Sequence, residues 1–171
     1  MEFNELLNSR RSVRQFTGKA SDEEIENILQ AAEKSPIAMG QFDKYHLTVI
    51  SNPDLLKRID LEAAEMFGRG NSHPLYGAQT LILVSASNKD PMTYSSAGII
   101  IHNMVLEAEN LGLGACYIFG AIATLNQHPQ TVEKLGLPKG FTPLGAVAIG
   151  QSDEKIEPRT WPENRIEINR L

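Results

Sequence analysis

The chain has 171 residues and a formal net charge of -5, with an isoelectric point of about 5.4. Its 42% apolar and 22% charged residues are a globular mix, enough to bury roughly 68–70% of the unfolded surface without disulfide or metal support. The acidic balance argues against a nucleic-acid partner, which calls for a basic field, and it makes the few basic clusters stand out.

Phe3, Leu6 and Leu7 recur at helical spacing and predict a short first helix ending near Arg10. Ser21-Asp22-Glu23-Glu24 is a capping box, followed by Ile25, Ile28, Leu29 and Ala32 along one helical face. Pro36 ends that helix, because the residue before a proline disfavours the helical region. A strand is expected over His46–Ile50, and Asn52-Pro53 opens a helix whose apolar face is Leu55, Leu56, Ile59 and Ala63. Residues 68–74 read as a loop, and the continuously apolar Thr80–Ser85 as a strand covered on both faces.

From about Ser95 to Leu111 runs the most apolar helix of the chain. Its apolar residues exceed one stripe, so it is either central or an interface, with Gly112 as its C-cap. Strands are expected over Ala115–Ile118 and Phe141–Ile149, with a helix between them from about Thr124 to Lys134. The last twenty residues look extended, and Ile156, Trp161, Ile166 and Ile168 call for a surface to lie on, such as a second subunit. The order of elements predicts a single α+β domain over residues 1–171 with a mixed or antiparallel central sheet flanked by helices.

The single Cys116 excludes an intrachain disulfide and reads as a buried strand thiol. His46, His73, His102 and His128 lie at no metal-ligand spacing, so no metal site is expected. His102, on the apolar helix, reads as a hydrogen-bonded interior residue. No apolar run approaches ~18 residues, and the acidic start is unlike a signal peptide, so no membrane span and a cytoplasmic location are expected. Gly112-Leu113-Gly114 begins like a dinucleotide loop, but Tyr117 takes the third glycine position and a strand follows, so that reading fails.

Arg10, Arg11, Ser12 and Arg14 form the main basic cluster. Planar guanidinium donors beside a hydroxyl suit a phosphate. Cations at the negative end of a helix dipole give the same pattern, so the local residues leave both readings open.

Taken in order along nearly the whole chain, the segments resemble the nitroreductase family of FMN enzymes. The features that carry this are Arg10–Phe16, Ala31–Ala38 with Gln41, Tyr76-Gly77-Ala78, Ala97-Gly98, Leu111–Cys116 leading to Ile118-Phe119-Gly120, Pro143–Gly150 and Pro158-Arg159. The resemblance implies an α+β sandwich that dimerises through the long helix and an exchanged C-terminal tail (about residues 151–171), with FMN between subunits. It further implies that Arg10, Arg11, Ser12 and Arg159 hold the phosphate and ribityl end. Arg14 would sit near the flavin N1 and O2, and Asn71 at the pyrimidine edge. Ile118, Phe119 and Gly120 would pass along the ring. Pro36, Ile37, Ala38 and Gln41 would come from the second subunit.

The implied activity is hydride transfer from NADH or NADPH through the flavin to a small-molecule acceptor such as a nitroaromatic or quinone. The alternatives are a flavin-dependent dehalogenase, a flavin-degrading relative, or a non-catalytic FMN-binding protein. Several positions depart from the family pattern: Ile37 and Gly40 replace polar residues, Gln79 a proline, Ser95 or Ser96 an aspartate, and Glu157 a lysine. The segment between the third helix and Tyr76 is also short.

Overall fold

The computed structural model describes residues 2–68, 72–154, 161–162 and 165–171. Four strands, β1 (Tyr45–Ile50), β2 (Thr80–Ala86), β3 (Gly114–Ile118) and β4 (Thr142–Gly150), pair in the order β1–β2–β4–β3. All three pairings are antiparallel, which decides between the mixed and antiparallel sheets that the sequence allowed. Tyr45 faces Ala86, Thr80 faces Ile149, and Gly114 faces Gly150.

The two central strands are buried along nearly their whole length, and their alternation divides the core. Leu81, Leu83, Ala146 and Ala148 face a layer built on α3 (Pro53–Met66) and α5 (Gly120–Leu125). Ile82, Val84, Val147 and Ile149 face α2 (Asp22–Glu33) and α4 (Pro91–Asn110). Burial on both faces explains the continuous apolar run of β2, which lacks a polar side.

Local chemistry sets the helix ends. Glu24 N–H donates to the Ser21 hydroxyl, and Ser21 N–H donates to the Glu24 carboxylate at 2.7 Å, closing the capping box of α2. Asn52 caps α3 through Leu55 N–H. The end of α4 is a Schellman turn, with Gly112 at φ +77° and Leu113 N–H donating to Ala108 C=O at 2.8 Å.

Its start lies a turn earlier than the apolar pattern alone places it. Asp90 caps it by accepting from Thr93 N–H, and Pro91 fills the first helical position. The helix expected over Thr124–Lys134 is instead two short ones, α5 and α6 (Pro129–Glu133). Pro129 explains the break, since it has no N–H and pushes His128 out of the helical region.

The first helix, α1 (Phe3–Ser9), buries none of its residues, and Phe3 and Leu7 are exposed. Beyond it the chain is extended. Val13 N–H donates to Ala115 C=O of β3, and near the end of β4 Thr17 N–H donates to Gln151 C=O while Gln151 N–H donates to Gly18 C=O. Gly150 permits that crossing, because a Cβ there would overlap the Gly18 carbonyl oxygen. No helix among the described residues is long and apolar enough to cross a membrane.

Candidate functional site

The segment Arg10–Thr17 lies along the β3 edge of the sheet. Its backbone is pinned by Val13 N–H to Ala115 C=O at 2.9 Å and Phe16 N–H to Tyr76 C=O at 3.4 Å. Residues 152–154, just beyond β4, hold its other side. The Ser152 hydroxyl donates to Gln15 C=O at 2.8 Å, and Arg14 N–H donates to the Glu154 carboxylate. Beyond Arg10, which caps the end of α1, the basic run is therefore an extended strip pinned to the sheet edge. Val13 and Phe16 are its buried anchors, 5% and 8% exposed.

Extended backbone sends alternate side chains to opposite sides. Arg14 is exposed, and its guanidinium carbon lies 5.8 Å from the Tyr76 ring centroid, a cation–π geometry. It lines a cavity of about 710 Å³ with Phe67, Ser72, His73, Pro74 and Tyr76. Arg11 lies elsewhere, in a cavity of about 160 Å³ that it shares with Val13, Glu109 and Glu154. The cluster that reads as one unit in sequence is thus divided. Arg10, at the C-cap of α1, is close enough to His102 for its charge to act there.

Ser12 and Arg14 both bear on Cys116. Burial pushes the Cys116 thiol up, Arg14 and a hydrogen bond with Ser12 pull the other way, and Glu154 adds to the rise. The cysteine is 4% exposed, the core thiol that its apolar setting predicts. His102 is a correction: its side chain is exposed on α4, not interior. Partial burial and the nearby Arg10 charge push its imidazole below the usual range.

Ile118 is buried, whereas Phe119 is 53% exposed at the turn into α5. Gly120 follows, and a Cβ there would lie 2.9 Å from Phe67 Cζ. The absent side chain lets the Phe67 ring close over this turn. Because Phe67 also lines the Arg14 cavity, Arg14, Tyr76, Phe67 and Gly120 converge on one place. The sequence did not single out Phe67. Its one signal is an aromatic left exposed at the end of α3, just before Gly68 at φ +63°. Tyr76 is held at φ +56°, a conformation disfavoured for a bulky residue and concentrated at functional sites.

The second group of expected site residues lies apart. Ala38 N–H donates to the Ser96 hydroxyl at 3.2 Å, and Asn103 donates to the Ser35 hydroxyl at 2.9 Å, so Pro36–Gln41 is tied to α4. Ile37, Ala38 and Gln41 are half-buried and Pro36 is exposed. This loop leads into β1, the sheet edge opposite β3, and three strand spacings are about 14 Å. Along α4, Ser96 and the Glu109 beside Arg11 are separated by about 20 Å of helix rise. Asn71 and Arg159 lie outside the described residues, as do Ile156, Glu157 and Pro158.

The face of α4 turned from the sheet exposes Met92, Ile99 and His102, and Phe3 and Leu7 of α1, a helix that touches α4, are exposed too. Trp161, Ile166 and Ile168 of the tail are exposed as well. This accounts for the apolar excess of α4: one part of it faces the core and another lies open in the single chain.

A family model described as the nitroreductase family matches residues 7–151. An Archaeoglobus fulgidus protein, provisionally named NADH dehydrogenase/NAD(P)H nitroreductase, is 30% identical over 157 residues, covering 88% of this chain and 86% of its own. The Bacillus subtilis FMN reductase (NADPH) is 25% identical over 85% of this chain, which spans 64% of that protein. Among solved structures, a Bacteroides fragilis nitroreductase with bound FMN superposes with a TM-score of 0.84 at 26% identity, over 99% of this chain and 100% of its own. A Desulfitobacterium hafniense nitroreductase, at 21% identity, shares the fold with a TM-score of 0.83 over 98% and 97% of the two chains.

Proposed function

The chain belongs to the nitroreductase family, and we propose that it is an FMN-dependent NAD(P)H oxidoreductase acting as a homodimer. The observation that carries this reading is the ordered strip Arg10–Arg14, which presents Arg14 beside Tyr76, Phe67 and Gly120. FMN has a phosphate at one end and a flat ring that gathers negative charge at the other. The strip offers cations and a hydroxyl, and Phe67 and Tyr76 offer aromatic faces beside Arg14. The residues present therefore fit the group.

When bound, FMN supplies the redox chemistry, accepting hydride from the nicotinamide and passing reducing equivalents to an acceptor. The side chains bind and orient. Arg10 and Ser12 hold the phosphate end, joined on the family pattern by Arg159, while Arg11, which that pattern also assigns there, lines its own separate cavity. Arg14 supplies positive charge at the pyrimidine side of the ring, favouring the reduced state. Asn71 pairs with the pyrimidine edge, and Ile118, Phe119 and Gly120 flank the ring. Phe67 and Tyr76 exclude water from the cavity. No side chain acts as a nucleophile, and reductant and acceptor take turns at one face.

Pro36, Ile37, Ala38 and Gln41 complete the site from a second copy of the chain. Their position at the opposite sheet edge from Arg14 supports this, because a two-fold pairing along α4 brings unlike edges together. The exposed apolar residues of α1, α4 and the tail supply the surface for it. The acceptor is a small molecule of nitroaromatic or quinone type.

The test is the visible spectrum of the purified protein, followed by anaerobic addition of NADH or NADPH and then of a nitroaromatic. A flavin spectrum that bleaches and recovers, from a dimer in sedimentation, is the expected result. A colourless protein whose melting temperature and NAD(P)H oxidation do not respond to FMN overturns the reading. Bound FMN that neither nucleotide reduces marks a binding protein without turnover.

A further inference from the structure

A second cavity, of about 400 Å³, adjoins the Arg14 cavity and shares His73 and Gly77 with it. Its floor is apolar, formed by Leu56, Leu75 and Ala78, which are 6%, 2% and 7% exposed. Its rim is cationic. Lys19, from the segment that follows the arginine strip, and Lys57, from α3, are both exposed there. Among the described residues neither lysine makes an ion pair or a hydrogen bond. In a chain of net charge -5, two unpaired ammonium groups over one apolar pocket form a local anion-attracting surface.

The one carboxylate lining the cavity is already engaged. Asp60 Oδ1 accepts from Leu75 N–H at 2.8 Å, and Oδ2 lies 2.9 Å from His73 Nδ1. The first bond fixes the loop that separates the two cavities, and the second fixes the His73 ring. Asp60 therefore does not neutralise the lysines by direct contact. Ser51 and Gln79 add neutral polar groups at the mouth.

We propose that this cavity seats the phosphorylated adenosine end of the reductant, with Lys19 and Lys57 on the 2′-phosphate, so that the protein prefers NADPH to NADH. The inference rests on the reading of the chain as a nicotinamide-nucleotide oxidoreductase. An apolar floor suits the faces of an adenine, and ammonium groups act as point charges for a dianionic phosphate. The shared wall of His73 and Gly77 lets one extended molecule reach from this cavity to the ring site beside Arg14. NADH lacks the group that the lysines address, so discrimination follows from that single phosphate.

The test uses the FMN-loaded protein with Lys19→Gln, Lys57→Gln and the double substitution, all at exposed positions. The expected result is that the ratio of KM for NADPH to KM for NADH rises about tenfold per lysine, as for the loss of one charged contact. In parallel, 2′,5′-ADP raises the melting temperature of the unsubstituted protein more than 5′-ADP does, and the double substitution abolishes that difference. The second readout needs no turnover. If flavin binding and reduction are intact but 2′,5′-ADP and 5′-ADP protect equally, this inference fails while the oxidoreductase reading stands. Protection by inorganic phosphate equal to that by 2′,5′-ADP identifies a simple anion site and also overturns it. Equal KM changes for both nucleotides do the same.

Discussion

Gly114→Ala tests whether the arginine strip depends on its seat against β3. A Cβ at Gly114 would lie 2.9 Å from Val13 Cγ1, 3.0 Å from Ser152 Cβ and 3.3 Å from Val13 Cβ. Carbon atoms pack best at about 3.5–4.0 Å, so these neighbours must move by roughly 0.5–1 Å. None is the far end of a long side chain, and Val13 is 5% exposed. Its backbone bond to Ala115 C=O, now 2.9 Å, stretches as it moves. Overpacking of this size costs about 1–3 kcal/mol and a weakened hydrogen bond about 1 kcal/mol, so a loss of about 2–4 kcal/mol is expected.

Because Ser12 and Arg14 flank Val13, FMN affinity falls together with stability. Urea denaturation of the FMN-free protein and a fluorescence titration of FMN measure the two effects. Val13→Ala removes the closest atom, so the double substitution should be less destabilised than the sum of the two singles. A Gly114→Ala protein within about 0.5 kcal/mol of the unsubstituted one, with unchanged FMN affinity, would refute the idea that this close approach positions the strip.

Arg14→Ala removes the cation assigned to the pyrimidine side. Loss of one charged hydrogen bond, about 1.5–3 kcal/mol, lowers the two-electron potential by about 30–60 mV. Redox titration against reference dyes should show this shift, with a smaller change in FMN retention. Glu62→Ala leaves the Thr131 hydroxyl, which donates to Glu62 at 2.7 Å on a fully buried residue, without its partner. A loss of about 1–3 kcal/mol in urea is expected, confined to stability since the cavity this network lines shares no residue with the Arg14 cavity. Thr93 N–H holds the Asp90 carboxyl below the usual carboxylate range. With the folded value depressed, its contribution is full above the unfolded value of about 3.9 and is lost as pH falls through the folded one. Asp90→Asn keeps the cap and should flatten that part of the stability profile below about pH 4.

Several features were legible because they depend on neighbours in sequence. Ser21 and Glu24 close their capping box within one helical turn. Gly112 supplies the left-handed residue that ends α4. The break between α5 and α6 is missed, although Pro129 carries its signal, because the apolar spacing across it reads as one helix. The buried run of β2 indicated cover on both faces, and its antiparallel pairing to β1 and β4 emerged only with the sheet.

The Arg10–Arg14 cluster shows where local reading ends. Its residue types define a cationic strip, and the order of motifs along the chain defines the family. The sequence treats Arg11 and Arg14 as members of one group. Extended backbone hydrogen-bonded to Ala115 sends their side chains to separate cavities, a consequence of a contact about a hundred residues away. Phe67 reaches Gly120 across more than fifty positions, and His102 lies open because α4 turns that face from the sheet. The sequence by itself determined which chemical groups the protein has and the local caps that open α2 and α3 and close α4, since those follow from bonds spanning a few residues. Which groups share a cavity, and the separation of the two halves of the site to opposite sheet edges, was decided by tertiary packing, which places side chains by contacts that no local pattern encodes.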